Sequence, residues 1–232
     1  MMKKDQINKL FKNFKKKYKD KYEDEELWCY IEENFWNFID KNSAPDVLMQ
    51  IYTELGIESP DGNFYKEHLK RLKERFDIRG NVLDVASGSI PAFANLLAHE
   101  QLKIGSGTVT LYEPLLIVDK PKYPNMTMYR QNFTEYTYIK NFDLITGIMP
   151  CGVTETLIEQ ACRNQKDFYV AMCGCTHFEY VPYDFLITPE SYQYYIIEKT
   201  EQLLQRYDNG TLEVEHLDNY EINYPILYNK KK

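Results

Sequence analysis

The run from Asn81 to Pro91, NVLDVASGSIP, constrains this chain more than any other stretch. A short apolar run carries Asp84 at its end, passes through small residues, and leads into a segment with helical spacing. About one strand–helix unit later, TVTLYEP at Thr108 to Pro114 is a second apolar run, and it ends on Glu113. Strand, tight turn, helix and a second strand closed by a carboxylate is the order in which a nucleoside-bearing cofactor lies across the carboxyl edge of a parallel sheet.

The pattern around this run extends the reading. From Asn81 onward, strands are predicted at Val82–Val85, Thr108–Tyr112, Met126–Arg130, Asp143–Gly147 and Phe168–Met172, with helices at Ala92–His99, Glu155–Asn164 and Pro189–Tyr207. Such alternation is the signature of a parallel sheet with crossover helices. Two β-rich runs, Leu212–Leu217 and Tyr220–Tyr228, follow the turn residues Asp208-Asn209-Gly210. Upstream, apolar residues recur at helical spacing: Ile7 to Tyr22 on a lysine-rich helix, Glu25–Asp40, a third helix capped by Ser43, and Phe64–Phe76 after a turn at Ser59–Gly62. Residues 1–76 are therefore expected to form a helical N-terminal cap, and 77–232 the α/β domain.

Charge is unevenly spread. Through Lys21 there are nine Lys and two Asp, whereas the remainder carries 19 basic and 33 acidic residues. A basic arm on an acidic body suits a solvated helix face better than a polyanion-binding surface, because no Arg cluster accompanies the lysines. The five cysteines form an odd set in a chain with no signal-peptide core, so free thiols in a cytoplasmic protein are expected. No apolar run approaches a membrane span, and no membrane partner is expected.

The ordered set Asp84, Gly88, Glu113 and Asp143, spread over strand–helix alternation, resembles the class I S-adenosylmethionine-dependent methyltransferases. The resemblance implies an α/β three-layer Rossmann-like sandwich whose mostly parallel seven-stranded sheet closes with an antiparallel hairpin. It implies S-adenosylmethionine as cofactor. Asp84 stands where the family holds the methionine part, Gly88 where the backbone approaches the cofactor, and Ser87 beside it adds a hydroxyl. Glu113 stands where a carboxylate accepts from the ribose hydroxyls, and Pro114 lines the adenine side. Asn132 and Phe133 follow the third strand, where the family reads the adenine amino group and covers its ring, and Met149 passes beneath the methionine portion. The family's turn has three glycines at alternate positions; Ala86 and Ile90 replace the first and third.

On the acceptor side, Met149-Pro150-Cys151 departs from the Asn/Asp-Pro-Pro-aromatic motif of amino methyltransferases. A Pro-Cys after this strand is similar to cytosine-5 methyltransferases, which makes Cys151 a candidate nucleophile. His177 is a candidate general base, since its ordinary pKa is near neutrality. Cys173, Cys175 and His177 with Cys151 also match a zinc donor set, but a buried, metal-free cluster is the expected state. The predicted activity is methyl transfer to an acceptor, with a small molecule expected ahead of nucleic acid. The rival readings are a non-catalytic scaffold of the same fold, an RNA methyltransferase that uses the basic arm, and an NAD-binding domain.

Overall fold

Period-two alternation in the strands divides their side chains between two helical layers. In the computed structural model, which describes residues 60–88, 91–116, 120–173, 188–217 and 224–231, β1 spans Asn81–Val85, β2 Thr108–Tyr112, β3 Met126–Tyr129 and β4 Leu144–Ile148. They are followed by β5 Asp167–Ala171, β6 Thr211–Glu215 and β7 Ile226–Lys230. The helices are α1 Pro60–Arg75, α2 Ala92–Ile104, α3 Thr154–Arg163 and α4 Pro189–Tyr207. Val82, Val109, Leu144, Tyr169 and Ile226 pack with α1 and α2, whereas Leu83, Val85, Ile145, Phe168 and Leu227 pack with α3 and α4.

The sheet order is β3-β2-β1-β4-β5-β7-β6. β1 to β5 pair in parallel, and β7 pairs antiparallel with both β5 and β6. The order reverses beside β1, so the carboxyl ends of β1, β2 and β4 meet at a topological switch point.

Several element boundaries differ from expectation. The turn expected at Ser59–Gly62 gives way to α1, which starts at Pro60, because proline is tolerated where the helix N–H groups have no partner. α2 runs five residues past His99 to Ile104 and stops at Gly105, whose φ of 70° lets its N–H return to the helix carbonyls of Gln101 and Leu102. The final strand is Ile226–Lys230 instead of Tyr220–Tyr228, and its partner is Thr211–Glu215. Hairpin register runs from Thr211↔Lys230 to Glu215↔Ile226. It starts there because Gly210, at φ 89°, lets its backbone lie against Lys230; a Cβ would meet the Lys230 carbonyl at 2.4 Å. The three helices expected before residue 59 lie outside the described residues.

α1 buries Phe64, Tyr65, Leu69 and Leu72 in the core it shares with β1, β2 and α2. Its polar side reaches the closing hairpin, where Glu215 on β6 accepts from Arg71 at 3.0 Å, from Arg75, and from the Tyr228 hydroxyl at 2.5 Å.

Candidate functional site

The β1 exit is built by a chain reversal that few residues adopt. Ala86 has φ 56° and Gly88 φ 78°, and the Ala86 amide donates to the Tyr112 carbonyl at 3.0 Å, carrying the β1–β2 ladder one step past the strand. Positive φ is what the family's first glycine supplies without strain; alanine, with the smallest side chain after glycine, reaches it at modest cost. The turn then delivers the chain to Pro91 and the start of α2.

Asp84 and Glu113 share the α2 face of the sheet, and both are buried, at 1% and 5% exposure. The Ser87 hydroxyl donates to Asp84 Oδ2 at 2.5 Å, and the Thr146 hydroxyl donates to Oδ1 at 2.8 Å. Glu113 accepts from the Gly88 amide at 3.1 Å and from the Leu115 amide at 2.8 Å. The glycine turn and the β2 exit are thus tied through one carboxylate. Burial pushes the Asp84 carboxyl up to about 7; the Ser87 and Thr146 hydroxyls pull against this, and the negative charge of Glu113 adds to it.

Of the other expected donor-side residues, Pro114 and Asn132 are exposed. Phe133 is buried, with its ring edge-to-face against Tyr112 at 6.4 Å, and Tyr112 stacks on Tyr129 at 4.8 Å. Phe133 packs with Leu83, Val85 and Ile139 in the core on the α3 side. Met149 is half-buried at φ 55°, and its amide donates to the Ala171 carbonyl at 2.7 Å. Positive φ therefore recurs at the neighbouring exits of β1 and β4.

Cys151 follows in a short 3-10 turn, Cys151–Val153, at φ 41°, and its carbonyl accepts from the Thr154 hydroxyl at 2.9 Å. Cys173, just past β5, is buried, and Cys162 lies on α3 in the core, where burial pushes its thiol up to about 12. None of Cys151, Cys162 and Cys173 is in a disulfide. Tyr192 of α4 is buried in the layer that holds Met172; burial chiefly, and then the Cys173, Tyr195 and Cys151 groups, push its phenol up to about 12. Cys175 and His177 lie outside the described residues. Among the described residues no group of three His, Cys, Asp or Glu side chains is placed to hold a metal ion.

Asp143 sits elsewhere. It is exposed at the amino end of β4, where its carboxylate accepts from the Asn81 amide at 2.8 Å and packs where a Gly80 Cβ would be. Its work is to start the sheet at the edge opposite Asp84 and Glu113. Thr146 is the residue that sequence reasoning overlooked. It stands opposite Asp84 in the β1–β4 register, and its one signal is a hydroxyl inside the apolar run LITGI.

No protein-family model and no curated protein matches this chain. Solved structures do. The CMeT domain of the citrinin polyketide synthase superposes with a TM-score of 0.52 at 10% identity, covering 79% of this chain and 56% of that one. The chain thus spans just over half the length of that domain structure. An S-adenosylmethionine-dependent methyltransferase from Aquifex aeolicus aligns at TM-score 0.45 and 11% identity, over 71% of this chain and 88% of its own. The antibiotic-resistance methyltransferase Kmr aligns at 0.42 and 12%, over 71% and 92%. With its strand order and antiparallel seventh strand, the chain has the class I Rossmann-like methyltransferase fold.

Proposed function

We propose that the chain binds S-adenosylmethionine at the carboxyl ends of β1, β2 and β4 and transfers its methyl group to an acceptor. The observation that carries this reading is the pair of neighbouring buried carboxylates, Asp84 held by the Ser87 and Thr146 hydroxyls and Glu113 held by the Gly88 amide. A carboxylate accepts up to about four hydrogen bonds, so the orientation of Glu113 by two amides is compatible with its accepting from the vicinal hydroxyls of a ribose. Asp84 supplies a partner for the ammonium group of the methionine part, and Gly88, lacking a Cβ at positive φ, lets the cofactor lie against the turn. That donor set fits the cofactor. When bound, the cofactor supplies an electrophilic methyl group on a sulfonium, which leaves the protein chiefly the work of positioning.

Pro114 and Asn132 edge the adenine side in this reading, and Phe133, edge-to-face against Tyr112, supports that side from the core. Met149 and Cys151 follow the β4 exit on the side where an acceptor would enter, and His177 remains a candidate base. The body of the chain beyond Lys21 is acidic, which favours a small-molecule acceptor over a long polyanion.

Calorimetric titration with S-adenosylmethionine and S-adenosylhomocysteine tests the donor site. Micromolar binding by the wild-type chain, lowered at least a hundredfold by Glu113→Ala, is the expected result. Absence of binding by both ligands would assign the chain to non-catalytic scaffolds of this fold.

A further inference from the structure

Asp84 is the polar group whose surroundings the proposed chemistry leaves least explained. It is 1% exposed, and its two oxygens accept from neutral hydroxyls, Ser87 on its own turn and Thr146 on β4. From β2 the group facing it is the Glu113 carboxylate, itself buried and held by backbone amides. Among the described residues, no Lys, Arg or His forms an ion pair with Asp84. A carboxyl buried this deeply, met by neutral hydroxyls and facing a second buried carboxyl, does not ionise easily: the desolvation cost of its charge is large, and a charge on its neighbour raises it further. Glu113 has the amide donors that favour an anion. Asp84 is left to take the proton, in keeping with its carboxyl being pushed up to about 7.

We propose that binding at this site is a proton exchange, in which Asp84 carries a proton before the ligand arrives and releases it to solvent when the α-ammonium of S-adenosylmethionine, or of its demethylated product, settles against it. The inference rests on the donor site proposed above. The ammonium keeps its three protons, the carboxylic O–H bond breaks, and the buffer takes the proton, so the site gains one cation and loses one proton with no net change of charge. The adenosine half of the ligand takes no part in the exchange. Ligand affinity thereby becomes dependent on pH through the neutral range.

The test is calorimetry of the full chain with S-adenosylhomocysteine at pH 6 and pH 8, in buffers of different ionisation enthalpy. 5′-Methylthioadenosine, which keeps the adenosine and thioether but lacks the amino-acid group, serves as the second probe. S-adenosylhomocysteine is expected to release close to one proton at pH 6 and far less at pH 8. Its affinity should climb towards tenfold per pH unit below neutrality, the limit set by linkage for one proton. 5′-Methylthioadenosine should release none and bind equally at both values. Asp84→Asn should abolish the release and flatten the profile. Thr146→Val, which keeps the carboxyl but deletes a bond to its ionised form, should move the midpoint to higher pH. S-adenosylhomocysteine binding without proton release, or release that persists in Asp84→Asn, would overturn the exchange and leave the donor site standing. Failure of both ligands to bind at either pH would overturn the donor site itself.

Discussion

Ala86 holds a backbone conformation, φ 56°, that costs an L-residue on the order of 1 kcal/mol and glycine almost nothing. Ala86→Gly should therefore leave stability unchanged or raise it by up to about 1 kcal/mol, once the looser unfolded chain is counted. Ala98→Gly, within α2, should lose at least about 1 kcal/mol, since it pairs a helix-interior glycine with a buried methyl removed. Chemical denaturation of the two variants side by side makes the comparison. A loss at Ala86 as large as that at Ala98 would mean that the turn is not in the left-handed region. Asp84 is a second residue whose environment sets its behaviour: nothing in its chemistry distinguishes it from Asp143, yet one is buried with two hydroxyl donors and the other opens the sheet at its solvent edge.

Among the elements, β4 does the most to shape the site. Thr146 reaches Asp84, Gly147 faces α3, and Met149 turns the chain back at φ 55°. A Cβ on Gly147 would stand 2.8 Å from Leu157 Cδ1 and 3.1 Å from Pro150, which folds over it. Gly147→Ala should thus cost about 1–3 kcal/mol by overpacking. It should also shift the Met149–Cys151 turn, visible as altered reactivity of the half-buried Cys151 towards a thiol reagent. An unperturbed thiol rate together with wild-type stability would refute this picture of β4. Much of the element layout was legible beforehand because period-two runs and Gly or Pro punctuation are local signals. The starts of β6 and β7 were not, because hairpin register depends on how Gly210 lies against Lys230 across the ladder.

On the scale of the molecule, α1 is fastened to the far hairpin by Glu215, which gathers Arg71, Arg75 and the Tyr228 hydroxyl while the Arg75 guanidinium lies 5.3 Å from the Tyr228 ring. Glu215→Ala leaves two guanidinium groups facing each other and should cost about 2–3 kcal/mol in a thermal or chemical melt. Two buried titrating groups then act in opposite directions on the pH dependence. His68 donates to or accepts from the Tyr169 hydroxyl at 2.9 Å inside the core, and burial, aided by Arg71, drives its pKa down to about 3. Its contribution is full above the unfolded value near 6.5 and is lost as pH falls towards 3. Asp84, raised to about 7, behaves oppositely: its contribution is full below the unfolded value near 4 and is lost as pH rises through 7. Between about pH 4.5 and 6 the two slopes oppose, each on the order of 1 kcal/mol per pH unit. Asp84→Asn should make stability climb with pH across that window, and His68→Gln should make it fall. Parallel slopes in the two variants would show that one of these groups is not buried as described.

The residues alone determined the α/β class, the strand order of events along the chain, and the two carboxylates that close β1 and β2. These follow from hydrophobic periodicity and from small residues at turns, which act over a few positions and leave their mark in the sequence. Asp143 looked equivalent to Asp84 and Glu113 because an acid beside a strand reads the same at either end. Only the parallel stacking of β4 on β1 puts it on the opposite edge and brings the overlooked Thr146 against Asp84. Phe133 had the right type and place in sequence for an adenine cover, and packing put it in the core against Tyr112. Burial, register and charge proximity arise between segments tens of residues apart, so the raised pKa of Asp84 and the hold of the Gly88 amide on Glu113 were decided by the tertiary structure.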